Sequence, residues 1–217
     1  MKNLMSLFFA ISTLVLMTNV ASAQDQPTTQ TFVVVRVGTS GGAYHYVEVF
    51  QQRGRWIFPD VGYIDFDQAK QYREYFVGAG AVLFSSKHLT VIEEGYLDKA
   101  AGPSSGDALY FQPWTLVAFS LTPKLGAEAV YFPYLPLNKA ARIQHVLERA
   151  KLEYDFKHFK LGGGYGAYQF GDGPWQNKPF VSGTIKVGKM GDVELWLQRS
   201  GNGDALIQVR YGKTFKH

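Results

Sequence analysis

Through most of its length the chain alternates apolar and polar positions in short runs separated by Gly, Pro, Asn and Asp, the pattern of consecutive antiparallel strands. The clearest run is 148–156. Ala150, Leu152, Tyr154 and Phe156 fall on one side, and Arg149, Lys151, Glu153 and Asp155 on the other, because side chains two residues apart share a face of a strand. Ile207, Val209 and Tyr211 stand against Gln208 and Arg210, and Val193, Leu195 and Leu197 against Glu194, Trp196 and Gln198. Val181, Ile185 and Val187 oppose Ser182, Thr184 and Lys186; Tyr75, Val77, Ala79, Ala81 and Leu83 oppose Glu74, Gly78 and Gly80. About ten strands are expected, near 44–52, 72–84, 89–97, 108–121, 126–135, 146–156, 160–170, 180–188, 192–199 and 205–212, with eight to twelve as the bounds. Residues 139–150 also carry helical spacing, and the reading preferred there is a strand from about Val146.

Two environments produce such alternation. In a soluble sandwich or lipocalin-like barrel the apolar face points inward. In a transmembrane barrel it points to lipid, and charges with glycines line the lumen. The connections separate the two. Ser85–His88, Thr122–Gly126, Asp155–Lys160 and Gly188–Asp192 are tight, whereas Arg53–Gln71, Asp98–Asp107, Pro136–Gln144 and Gly171–Pro179 are longer and take turns with them. Alternation of short turns and longer loops belongs to a transmembrane barrel with both termini on the short-turn side.

Composition agrees. Of 217 residues, 46% are apolar, 15% aromatic and only 18% charged, with 23 glycines and no cysteine, which excludes disorder, disulfides and thiolate metal sites. Residues 1–23 read as a secretory signal peptide: Lys2, an apolar run from Leu7 to Met17, then Ala21-Ser22-Ala23 before the cleavage point. Removing Lys2 lowers the formal net charge from +4 to +3, too small and scattered an excess for a nucleic-acid partner. Residues 24–43 are a lead or an extra strand, and 44–217 form the barrel domain.

The leader, the alternating strands and the closing run Ile207, Val209, Tyr211, Phe215 resemble a Gram-negative outer-membrane β-barrel protein, with Lys213 interrupting the alternation and Lys216 and His217 following the last aromatic. The resemblance implies an antiparallel up-and-down transmembrane barrel in the cell outer membrane, with outer-membrane lipid and the insertion machinery as partners. It also implies a small porin-like channel or a structural or surface-contact protein. The other readings are a soluble exported barrel holding an apolar ligand and a lipid-modifying enzyme.

In the transmembrane reading the lumen is lined by Glu74, Gln112, Glu128, Arg149, Lys151, Glu153, Lys186, Glu194, Gln198, Gln208 and Arg210. Both signs are present, so a mutually neutralising network that fills much of the interior is expected. Trp114 and Trp196 are assigned to an aromatic girdle. No cofactor or metal site is expected, since no two of the five histidines have the i, i+4 spacing of a helical zinc site. A hydrolase would need a nucleophile, a base and an orienting group in contact; the only set worth naming is His145, Glu148 and Ser104. Glu93 and Glu94 are adjacent, so one of them must face lipid, and a place near a strand end is expected for it.

Overall fold

The computed structural model describes residues 29–39, 44–66, 72–102, 106–188, 191–199 and 205–216. Among them are twelve strands: β1 (Thr29–Gly38), β2 (Tyr44–Arg53), β3 (Trp56–Phe66), β4 (Tyr72–Ser85), β5 (Leu89–Ala101), β6 (Leu109–Ser120), β7 (Leu125–Pro136), β8 (Gln144–Asp155), β9 (Phe159–Phe170), β10 (Gln176–Lys186), β11 (Asp192–Arg199) and β12 (Ala205–Lys216). Each pairs antiparallel with its chain neighbours, and β1 pairs with β12 from Gln30↔Lys216 to Gly38↔Gln208, so the sheet closes and leaves no edge.

The count is twelve rather than about ten. Residues 29–38 supply the closing strand, and what reads as one long connection at 53–71 is a hairpin arm. β3 was hidden because Pro59, Asp60 and Gly62 disrupt its alternation, and its pairing slips on both sides, between Phe50 and Gln52 and between Ile57 and Asp60. The extra arm also reverses the direction expected for β2. Residues 139–140 form a turn, 141–143 are irregular, and β8 begins at Gln144. The connections at one end span two to five residues and those at the other five to seven. The contrast is smaller than the sequence suggests because the strands run on into the loops. The β1 start and the β12 end lie with the short turns.

The apolar face points outward. Leu152 is 54% exposed, Val181 58% and Ile185 62%, whereas Lys151, one residue from Leu152, is only 9% exposed. This inverts a soluble barrel and removes the reading of an apolar ligand inside. Glu94 points inward, and Glu93 lies on the outer face four residues in from Leu89, where Thr115 Oγ1 donates to its carboxylate at 2.9 Å. Trp114 and Trp196 are not girdle residues. Trp196 is buried in the lumen, stacked on Phe180 with ring centroids 4.0 Å apart, and Trp114 packs against the inward cluster of Tyr46, Phe76 and Tyr96. Trp196 shares its side of β11 with Glu194 and Gln198, which is why it turns inward.

Proline is accommodated by pairing its defects. Phe111↔Leu135 and Thr115↔Tyr131 flank a lapse in the β6–β7 ladder, which places Pro113 directly opposite Pro133. Each lacks the N–H that the other would have accepted, so two prolines cost one interruption.

Candidate functional site

The lumen is organised around a defect in β8. Val130 pairs with Arg149 and Tyr131 with Leu147, leaving Glu148 as the extra residue of a bulge. The β9 side shows the same slip, with Leu147↔Ala167 followed by Ala150↔Tyr165. A bulge re-aims a side chain, and here the consecutive Glu148 and Arg149 both enter the interior. Gly166 lies across from them, where a Cβ would come within 2.8 Å of the Glu148 carbonyl oxygen.

Three guanidinium groups converge on the Glu148 carboxylate. Arg36 Nη1 from β1 donates to Oε1 at 2.5 Å, Arg210 Nη2 from β12 to Oε1 at 2.6 Å, and Arg149 Nη1 to Oε2 at 2.6 Å. Arg149 Nε also donates to Glu128 at 2.6 Å, and Arg210 Nη1 lies 3.8 Å from Glu194. A second centre is the Lys151 ammonium, 3.1 Å from Glu153 and Glu194 and 3.4 Å from Glu128. Lys160 Nζ donates to Glu153 at 2.9 Å. All of these groups except Glu148, together with Val34, Thr184 and Asp192, surround a cavity of about 330 Å³. Five cations interleave with four carboxylates, so few charges here lack an opposite neighbour, as burial in a narrow barrel requires.

The opposite wall, on β3 to β5, has a different chemistry. Tyr96 Oη lies 2.8 Å from both Asp60 Oδ2 and Glu94 Oε2. Tyr72 Oη donates to Glu74 at 2.5 Å and Tyr134 Oη to the same carboxylate at 3.0 Å, with Asp98 buried close by. The ion pairs among the described residues do not include Asp60, Glu74, Glu94 or Asp98; their neighbours are tyrosines and one another, Asp60 beside Glu94 and Glu74 beside Asp98. Large side chains cover this wall by lying across glycines of the next strand. A Cβ on Gly62 would sit 2.0 Å from the Phe76 ring, and one on Gly78 2.3 Å from Tyr96.

Of the residues singled out in the sequence, Glu128, Arg149, Lys151, Glu153, Glu194 and Arg210 line the cavity. Glu74 and Gln112 are buried on the acidic side, and Gln198 and Gln208 are half-buried. Lys186 sits at the short-turn rim, where Nζ contacts Asp155 at 2.5 Å. Arg36, Glu148, Lys160, Asp60, Glu94 and Asp98 also face the interior, though none stands in the lumen set read from the sequence. Glu94, Tyr96 and Asp98 alternate on one side of β5 and were legible; Glu148 was not, because its entry depends on the bulge.

The hydrolase set does not assemble. His145 faces outward and its Nδ1 lies 2.8 Å from Tyr131 Oη, with the Trp175 ring 6.3 Å away. Glu148 is inside, committed to three arginines, and Ser104 lies outside the described residues. His145 and Glu148 stand three residues apart on β8, so alternation alone sends them to opposite faces.

No family model matches the chain, and no curated protein matches it in sequence. The fold has close counterparts among solved structures. A KdgM porin superposes with a TM-score of 0.61 at 13% identity, covering 85% of this chain and 98% of that one. A KdgM porin in complex with disordered oligogalacturonate gives 0.62 at 12% identity over the same shares. A NanC porin gives 0.58 at 11% identity, covering 83% and 97%. At such identities the likeness is one of fold: the barrel is built as these porins are.

Proposed function

We propose that the chain is an outer-membrane channel for small hydrophilic solutes, exported behind the leader at 1–23, which is cleaved, and inserted by the outer-membrane assembly machinery. The observation that carries the reading is the closed barrel with its apolar face outward and a charged cavity of about 330 Å³ inside. Hydrocarbon is the solvent that matches such an exterior, because a closed ladder satisfies every strand and the outward side chains are apolar. The lumen gives the solute class. A basic wall on β1, β8, β9 and β12 faces an acid–tyrosine wall on β3 to β5, so a polar solute crossing between them meets a transverse field.

One fold neighbour is a porin in complex with oligogalacturonate, an acidic sugar polymer. Here four carboxylates are interleaved with the five cations of the basic wall, and the opposite wall is acidic. A polyanion therefore finds no continuous positive track, and small ions and dipolar solutes fit better. Planar-bilayer recording of refolded protein tests the reading. Discrete small openings in potassium chloride, with no block by oligogalacturonate, are expected. A silent bilayer from protein shown to be folded by its heat-modifiable gel migration would remove the channel.

A further inference from the structure

The short-turn end of the barrel carries a ring of cations that the channel does not use. Arg55 ends the β2–β3 turn, Lys87 lies in the β4–β5 turn, Lys124 in the β6–β7 turn and Lys157 in the β8–β9 turn. The connection between β10 and β11 lies partly outside the described residues. None of these four turns contains a carboxylate. Lys87, Lys124 and Lys157 are exposed, and the half-buried Arg55 guanidinium lies over the Trp56 ring at 4.8 Å. Lys213 adds a further cation from β12, 4.6 Å from the Phe215 ring. The nearest carboxylates are Asp155, held by Lys186 Nζ at 2.5 Å and by the Lys157 backbone N–H, and Asp192 at the start of β11. At the other end the described connections mix signs, with Asp107 and Asp172 beside Lys139 and Arg142.

Each cation is joined to an exposed outward apolar group on the same hairpin. Trp56 follows Arg55, Phe84 precedes Lys87, Phe119 and Leu121 precede Lys124, and Phe156 and Phe159 flank Lys157 with their rings stacked 4.8 Å apart. Aromatic groups on a barrel exterior settle at the boundary between acyl chains and headgroups. A basic side chain one to three residues nearer the turn than Trp56, Phe84, Leu121 or Phe156 therefore reaches the phosphate layer, with its aliphatic stem along that apolar group.

We infer that this rim binds anionic phospholipids of the leaflet it meets, through their phosphodiester headgroups. The inference rests on the membrane placement proposed above but not on conduction. Charge complementarity names the occupant: a cation held at the headgroup plane favours an anionic over a neutral lipid by about fivefold.

The test uses the full mature barrel in nanodiscs of phosphatidylcholine with a minority of phosphatidylglycerol, extracted gently and weighed with its retained lipid by native mass spectrometry. Retained lipid is expected to be enriched severalfold in phosphatidylglycerol. The enrichment is expected to vanish at high salt and in R55Q/K87Q/K124Q/K157Q, whose folding is checked by heat-modifiable migration and unchanged conductance. Retained lipid at the bulk ratio, or equal enrichment in the variant, would overturn the inference. So would a variant that keeps its lipid but loses binding to isolated cell-wall sacculi, because the occupant would then be an anionic glycan. A barrel that is silent in bilayers yet retains phosphatidylglycerol would sink the channel and leave this surface standing.

Discussion

Arg210 Nη2 donates to Glu148 Oε1 at 2.6 Å, tying β12 to β8 across the lumen between strands four apart in the barrel order. Arg36 reaches the same oxygen at 2.5 Å from β1. One carboxylate thus compensates guanidinium groups from three strands, and the interior charge pattern depends on it.

Glu148→Gln removes that compensation from three buried guanidinium groups, of which Arg149 keeps Glu128 and Arg210 keeps the more distant Glu194. Breaking a buried pair costs about 3–5 kcal/mol, so the variant is expected to unfold at lower denaturant. Conduction is the sharper readout. In a potassium chloride gradient the reversal potential is expected to move toward that of chloride. An unchanged potential would mean that ions do not pass beside Glu148.

Lys151→Met should act with the opposite sign. The ammonium lies within 3.4 Å of Glu128, Glu153 and Glu194, and methionine fills similar space without charge. The reversal potential is expected to shift toward that of potassium. Measured together, the two variants place the conducting path, because a route distant from the network would respond to neither.

How far the sequence carries the fold can be read at these residues. Period-two alternation was enough to put Lys151, Glu153 and Glu194 inside, since one parity of each strand is uniformly apolar. It failed at β3, where Pro59 and Gly62 break the pattern, and at β1, where Val33, Val34 and Val35 run together and Arg36 alone marks the inner side. It failed most usefully at Glu148. Alternation puts that residue on the same face as Ala150 and Leu152, and only the register slip at the bulge brings it inside. Register is a property of pairs of strands, so a single strand's pattern does not contain it.

The outward face predicts a depth-dependent cost. Val181 lies mid-strand in β10, and Ile185 is one residue from the short-turn end of that strand; both are exposed. Arginine at the bilayer midplane of a barrel costs about 2–4 kcal/mol and near the interface about 0–1. Val181→Arg is therefore expected to destabilise the barrel in lipid vesicles by more than Ile185→Arg, measured by reversible denaturation. Equal small costs would mean that water, not hydrocarbon, surrounds β10.

Gly78→Val tests how the acid–tyrosine wall is packed. A Cβ there would stand 2.3 Å from the Tyr96 ring and 2.8 Å from the Gly95 carbonyl oxygen, so the ring must leave its place over β4. Overpacking of this kind costs about 1–3 kcal/mol, and moving Tyr96 also takes its hydroxyl from Asp60 and Glu94, both at 2.8 Å. The unfolding midpoint is expected to fall. In a Tyr96→Ala background the same valine meets an empty space on its ring side, so the two costs should be well below additive, as for residues in contact. Additive costs would show that the ring does not lie on the glycine, and that this wall is held by something other than large side chains laid across bare backbone.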